Sequence, residues 1–223
     1  MLSPVILVCV VMVKFKVLEK CQMETKENGD IIKRMTMNKY KIIALFGEAG
    51  AGKDYIQKRI MNTIFGRYNL SEIISCTTRP PREGEIDGVH YHFIPTPAEL
   101  IKKDLIEFTV FRDWWYGTPI DSLNKDKINI GVFNIEGIEQ ILRDNRIDCL
   151  PIKVSAMSKV RLIRQLNREK NPNCNEIIRR YLADQKDFEN IPFDYFIVEN
   201  NYDEIDPVLS DIMHIVRVNK WAK

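Results

Sequence analysis

Cysteine is sparse and unpatterned in this 223-residue chain. Cys9, Cys21, Cys76, Cys149 and Cys174 are odd in number, widely spread and without a C-x-x-C spacing. That argues against a disulfide scaffold or a thiolate zinc site and favours a reducing compartment. Neither sign of charge is in excess. Lys plus Arg is 33, Asp plus Glu is 31, and the net charge is +2. Composition therefore gives no support for a general nucleic-acid binder, although local basic clusters can still serve a small anion. Long apolar runs are missing too. The only candidate membrane or targeting segment, Val5–Val13, has nine residues, whereas a bilayer-spanning helix needs about 18. Lys14 and Lys16 follow that run instead of preceding it, and no small-residue cleavage site is visible, so it does not read as a secretory signal. The sequence has no internal repeat and no low-complexity tract.

What is present is a globular composition, 45% hydrophobic and 29% charged, of a size for one domain or one plus an appendage. Residues 1–36 read as an N-terminal extension or the product of an upstream start, with Met23, Met35 and Met37 as candidate starts. A short membrane-surface anchor is the alternative. The organised part, 37–223, begins with Tyr40–Phe46, a bulky apolar run that reads as a buried parallel strand. Gly47-Glu-Ala-Gly-Ala-Gly-Lys53-Asp54 follows, then a helical pattern through Tyr55, Ile56, Ile60 and Ile64. Strand, glycine-rich turn and helix, in that order, form a phosphate loop. Gly47, Glu48, Ala49, Gly50, Ala51 and Gly52 would turn backbone N–H groups toward phosphate oxygens. Lys53 adds a full charge and the helix N-terminus adds positive potential. The loop's usual final Ser/Thr, a magnesium ligand, is Asp54 here. Asp54 is the candidate metal ligand, direct or through water.

A second motif lies at 73–93, where Arg79 and Arg82 stand three apart beside prolines, turn glycines and Tyr91. Arginine forks suit phosphate oxygens, and prolines stiffen the loop that carries them. After a phosphate loop, they read as a second phosphate site. Ser75 to Phe93 resembles the GMP-binding signature of the guanylate kinase family, S-x-T-T-R-x-P-R-x-G-E-x-x-G-x-x-Y-x-F. Ile106 to Thr118 is similar to that family's second GMP-binding segment, and the resemblance runs over roughly 39–216 in the family's order. The resemblance implies that Arg79, Arg82, Tyr91 and Tyr116 grip the GMP phosphate. It implies that Ser75, Glu107 and Thr118 face guanine. A carboxylate suits guanine because it accepts from N1–H and the exocyclic amine together. His90 and His92 alternate with Tyr91, which places both on one face of a strand; they read as surface or hinge residues, since two histidines without a third ligand are a weak metal signal. Trp114 and Trp115 read as packing.

One segment departs from the family. Its Asp-x-Asp pair at the end of a buried strand is replaced by Val132 and Asn134. Asn134 is left to hydrogen-bond the base or ribose, and the metal and acceptor sites are expected to be rearranged.

Further along, Thr96-Pro97-Ala-Glu99 is a capping-box pattern opening a helix through Leu100 and Ile101. Ile138, Ile141 and Leu142 line another helix face. Cys149–Val154 reads as a strand. Val160, Ile163 and Leu166 mark a helix that carries Arg161, Arg164 and Arg168. A polar break follows, then a helix with Ile177, Ile178, Tyr181 and Leu182 beside Arg179 and Arg180. This arrangement looks like a nucleotide-kinase lid near 164–180. The family's lid arginines close on the transferring phosphoryl group, so Arg164, Arg168 and Arg180 are the catalytic candidates with Lys53, and Arg179 is a substitute for Arg180. Phe193–Val198 reads as the last strand, Asn200 as an adenine-side candidate, and Leu209, Ile212 and Val216 as a closing helix.

The expected fold is a three-layer α/β phosphate-loop kinase with a parallel-sheet core, an inserted β-rich GMP-binding subdomain near 73–118 and a helical lid. The resemblance implies Mg²⁺-dependent transfer from ATP to GMP or dGMP by a cytoplasmic monomer or homodimer with no nucleic-acid or membrane partner. A broader deoxynucleoside monophosphate kinase is one alternative. A non-catalytic module that binds phosphopeptide is the other.

Overall fold

The computed structural model describes residues 39–221 except Glu83, Arg112, Glu169 and 202–204. The expectations for 1–36 lie outside the described residues. Five strands build one parallel sheet: β1 (Tyr40–Phe46), β2 (Leu70–Glu72), β7 (Ile128–Val132), β8 (Ile147–Ser155) and β9 (Phe196–Glu199), in the order β2-β7-β1-β8-β9. β1 is the central strand, and its side chains alternate between two cores. Ile43 and Leu45 face α1 (Lys53–Met61) and α7 (Asp206–Val218). Ile42, Ala44 and Phe46 face α4 (Ile135–Arg143) and the aromatic group Phe188, Phe193 and Tyr195. A strand buried on both sides has no polar positions, which is why Tyr40–Phe46 reads as a near-continuous apolar run.

The second sheet is mixed, in the order β4-β3-β6-β5. It contains β3 (Cys76–Thr77), β4 (His92–Phe93), β5 (Leu105–Phe111) and β6 (Trp114–Pro119). β5 and β6 form an antiparallel hairpin with a register shift between Leu105 and Glu107. The short α3 (Pro97–Ile101) leads into β5. Two further helices, α5 (Ser158–Asn167) and α6 (Cys174–Asp187), follow β8. Among the described residues, no helix is long and apolar enough to cross a membrane.

Several local expectations need correction. The first helix does not reach Ile64. Thr63 adopts an extended conformation and its hydroxyl accepts from Gly66 N, so it caps a new helix, α2 (Ile64–Asn69), and Ile64 is left exposed. The Thr96 capping box is not formed, because its side chain makes no cap bond and Glu99 N reaches the Thr96 carbonyl instead. Leu142 is exposed, while Ile138 and Ile141 are fully buried. His90 sits in a turn, its Nδ1 accepting from Ile86 N, so it does not share a strand with His92. The last strand starts at Phe196, not Phe193. α5 buries the side opposite to the one its apolar residues suggest. Ile163 and Leu166 are exposed, and Arg161 is buried.

Candidate functional site

The phosphate loop leaves the carboxyl end of the central strand, where ligands of open α/β sheets bind. Gly47 has φ 143°, and a Cβ there would run into the Val154 carbonyl. Gly52 has φ 96° and starts α1; a Cβ on it would collide with the Asn200 amide. Only glycine allows these two approaches. Lys53 Nζ donates to the carbonyls of Gly47 (2.7 Å) and Glu48 (3.1 Å), so the ammonium lies across the loop mouth. Burial lowers its pKa, and the nearby carboxylates of Asp54, Asp184 and Glu48 act in the opposite direction. Asp54 is exposed in the first turn of α1.

The back of the loop is held from β9 and α5. Asn200, 3% exposed, donates from Nδ2 to the Ala51 carbonyl at 2.8 Å. Arg164 donates from Nη1 to the Asn200 carbonyl at 2.9 Å. Arg164 Nη1 also lies 3.4 Å from the Ala51 carbonyl, so both side chains brace the loop from behind. Buried carbonyls need donors, and these two side chains supply them.

At the other end, Glu107 is 6% exposed on β5. Thr118 Oγ1 donates to its Oε1 at 2.6 Å, and Ser75 Oγ lies 2.7 Å from Thr118 Oγ1. Since the Thr118 proton goes to the carboxylate, Ser75 must be the donor to Thr118. Burial pushes the Glu107 carboxyl above its ordinary range, the Thr118 hydroxyl pulls it back, and Glu136 adds to the rise. Arg79, 7% exposed, forms a two-pronged pair with Glu85 at 2.9 Å on each side. Its guanidinium lies over the rings of Tyr91 and Phe93. The Tyr91 and Tyr116 rings meet edge to face at 6.0 Å. Arg82 is exposed, and its backbone N–H donates to Glu85. Trp115 packs on Phe108, whereas Trp114 is 40% exposed.

Asn134 is the N-cap of α4, its Oδ1 accepting from Gly137 N at 2.7 Å. Its Nδ2 is 3.5 Å from Thr109 Oγ1. The Asn134 Oδ1 oxygen is therefore engaged by a helix end. Asn134→Ala is expected to cost about 1 kcal/mol of stability, while Asn134→Asp keeps the cap. Urea denaturation of both variants checks this; an unshifted midpoint for the alanine variant would remove the capping role.

One cleft of about 900 Å³ joins the two ends. Gly47, Ala49 and Lys53 line it on the loop side. Ser75, Tyr91, Glu107 and Tyr116 line it on the second sheet, with Val132 and Asn134 between. The lid arginines are not gathered there. Arg180 and Arg179 both bond Glu176 on their own helix, and Arg168 is exposed beyond the end of α5. Three polar residues of the site were missed in the sequence. Glu85 lies within the GMP-type signature, and its role as partner of Arg79 depends on the turn at Gly84. Arg161 and Asp184 sit on α5 and α6, and no spacing relates them.

The family model described as guanylate kinase matches residues 39–215. A guanylate kinase of Sulfurimonas denitrificans is 32% identical over 189 residues, 79% of this chain and 88% of that protein. A guanylate kinase of Prochlorococcus marinus is 33% identical over 177 residues, covering 75% and 93%. The crystal structure of guanylate kinase from Anaplasma phagocytophilum superposes with a TM-score of 0.57 at 18% identity, covering 83% of this chain and 89% of that one, which speaks for the fold. With its phosphate loop and its second sheet on one cleft, the chain belongs to the guanylate kinase family of nucleoside monophosphate kinases.

Proposed function

We propose that this protein transfers the γ-phosphoryl group of ATP to GMP or dGMP, releasing ADP and GDP or dGDP. The observation that carries the reading is the shared cleft, with Lys53 in one wall and the buried Glu107 in the other. A buried carboxylate that retains acceptor capacity selects a base with two adjacent donors, and guanine has them in N1–H and the exocyclic amine. Ser75 and Thr118 fix the carboxylate's orientation through their relayed hydrogen bonds. Arg79 and Arg82, with Tyr91 and Tyr116, form the acceptor-phosphate site. Arg79 reaches that phosphate by exchanging or sharing Glu85.

An acceptor phosphate oxygen attacks the γ-phosphorus in line, and the bond from that phosphorus to the bridging oxygen breaks as ADP leaves. The acceptor is already an anion, so no general base is needed. Positioning and charge neutralisation carry the rate. Lys53 and the loop amides hold the donor phosphates. Closure of α5 and α6 and of the second sheet over the cleft would bring Arg168 and Arg180 inward and exclude water.

Among the described residues, no cluster of three acidic, histidine or cysteine side chains forms a ready-made metal cage. That fits Mg²⁺, which takes most of its ligands from phosphate and water. The exposed Asp54, next to Lys53, is the residue that would hold it. When bound, Mg²⁺ supplies charge neutralisation to the donor phosphates. Cys76, Cys149 and Cys174 are unpaired thiols, in keeping with action in a reducing cytoplasm.

The test is a coupled ADP-release assay with ATP, Mg²⁺ and each of GMP, dGMP, AMP, CMP, UMP and dTMP. Turnover is expected with the guanine nucleotides alone. Comparable turnover across several bases would replace this reading with a broader monophosphate kinase. GMP binding without turnover would replace it with a binding module.

A further inference from the structure

Arg161 and Asp184 form a charged pair at the phosphate loop that the roles above leave unused. α5 rests its polar side on the loop. Gln165 Nε2 donates to the Ala49 carbonyl at 3.3 Å, and the backbone of Arg161 fills the space a Cβ on Gly50 would need. Arg161 is 5% exposed, yet its Nε and Nη1 have no hydrogen-bond partner. Its charge is balanced only at longer range. Asp184 Oδ2 lies 3.7 Å from Nη1, and the Tyr181 ring lies 5.3 Å from the guanidinium carbon. An arginine is rarely buried without acceptors for its forked donors, because the unmet donors are costly.

Asp184 is placed in the complementary way. The same Oδ2 accepts the backbone N–H of Ala49 at 2.7 Å, and the side chain lines the cleft beside Lys53. An anionic oxygen held by a phosphate-loop amide, with the loop lysine and an arginine at hand, has the surroundings of a phosphate oxygen. Burial raises the Asp184 pKa, while Ala49 N–H, Lys53 and Arg161 lower it and Glu48 adds to the rise. The carboxylate therefore sits in a partly desolvated place made tolerable by those donors.

We infer that Asp184 occupies the seat of a donor-phosphate oxygen when the site is empty, and that nucleotide displaces it and takes over both Ala49 N–H and Arg161. The inference rests on the donor-site reading of the loop. It makes Arg161 a phosphate ligand and Asp184 its internal competitor. Binding of a polyphosphate exchanges one anion for another instead of bringing a buried cation an entirely new partner.

The two residues should then affect affinity with opposite signs. The probe is ADP, titrated calorimetrically in EDTA so that no metal intervenes. Asp184→Ala is expected to tighten ADP about tenfold and Arg161→Gln to weaken it about tenfold, each the scale of one charge-assisted hydrogen bond. Asp184→Asn, which keeps the volume and removes the charge, should tighten ADP as well and serves if the alanine variant does not fold. A merely structural ion pair would lower the melting temperature in every variant without this split in sign. ADP bound no more tightly by Asp184→Ala and Asp184→Asn than by wild type would overturn the inference and leave the donor site standing. Wild-type protein that binds no ADP would overturn the donor-site reading itself, and the inference with it.

Discussion

Lys53→Ala is expected to lower kcat for the guanylate reaction about a thousandfold, the scale of removing one aligned donor from a site of developing charge. The same change should leave the melting temperature unchanged or slightly higher. Both halves follow from the lysine's surroundings. Its ammonium bonds only carbonyls of its own loop, Gly47 and Glu48, so in the resting protein it holds a position that donor phosphates would take over. Burial lowers its pKa. A lysine whose folded-state pKa lies below the unfolded value contributes stability only at alkaline pH, and that contribution is lost as pH falls through the lowered value. At neutral pH the charged form is therefore held against its desolvation, and deleting it sacrifices little. The checks are a coupled assay with saturating GMP and a thermal melt of the two proteins. A kcat within tenfold of wild type would remove Lys53 from the chemistry. A collapse in melting temperature would assign it a structural role instead.

Local patterns carried the core of the fold because its strands bury both faces. Ile42–Phe46 is fully buried and has no polar residue, and the turn after it needs glycines wherever backbone approaches backbone. The errors fall where tertiary contacts outvote local pattern. In α5 the apolar stripe of Val160, Ile163 and Leu166 is the obvious buried face, yet the loop beneath offers carbonyls that need donors. Arg164 and Gln165 turn inward to the carbonyls of Ala51 and Ala49, Arg161 comes with them, and Ile163 and Leu166 face outward. Ile64 was lost to a similar competition, because a capping threonine one residue earlier restarts the helix.

The site shows the same division. Glu107 and Thr118 lie on β5 and β6 and Ser75 just before β3, and they meet only in the assembled sheet, so residue type and family pattern suggest them while their relay depends on the fold. Asn134 could not be read alone. Its side chain has an acceptor end and a donor end, and the position of Gly137 N shows that the acceptor end caps its own helix. Asn200 and Arg164 are nucleotide candidates because the family pattern places an adenine-side asparagine and lid arginines at those points. In the fold both also bond the Ala51 carbonyl of the loop, a role without any sequence spacing of its own. Arg161 and Asp184 are 23 positions apart on two helices, and packing alone makes them a pair.

Glu107→Gln is expected to lower kcat/KM for GMP about a thousandfold, with little effect on ATP hydrolysis in the absence of acceptor. An amide turns one acceptor into a donor, and that donor would face the donors of guanine inside a buried pocket. The same variant should melt at a higher temperature, because it removes a carboxylate whose ionised form is penalised by burial. The pH dependence carries the sign. Burial raises the folded-state pKa of Glu107 above its unfolded value, so the folded protein gains stability as pH falls through the interval between them. Guanine recognition needs the ionised form and weakens over that interval. Activity and stability thus move oppositely as the solution is acidified. The acid limb of the wild-type kcat/KM profile is expected above the ordinary carboxylate range, and in Glu107→Gln that component should vanish. Profiles of both proteins, paired with melts at each pH, decide it. An unchanged acid limb in the variant, or undiminished preference for GMP over AMP, would assign guanine selection to other residues.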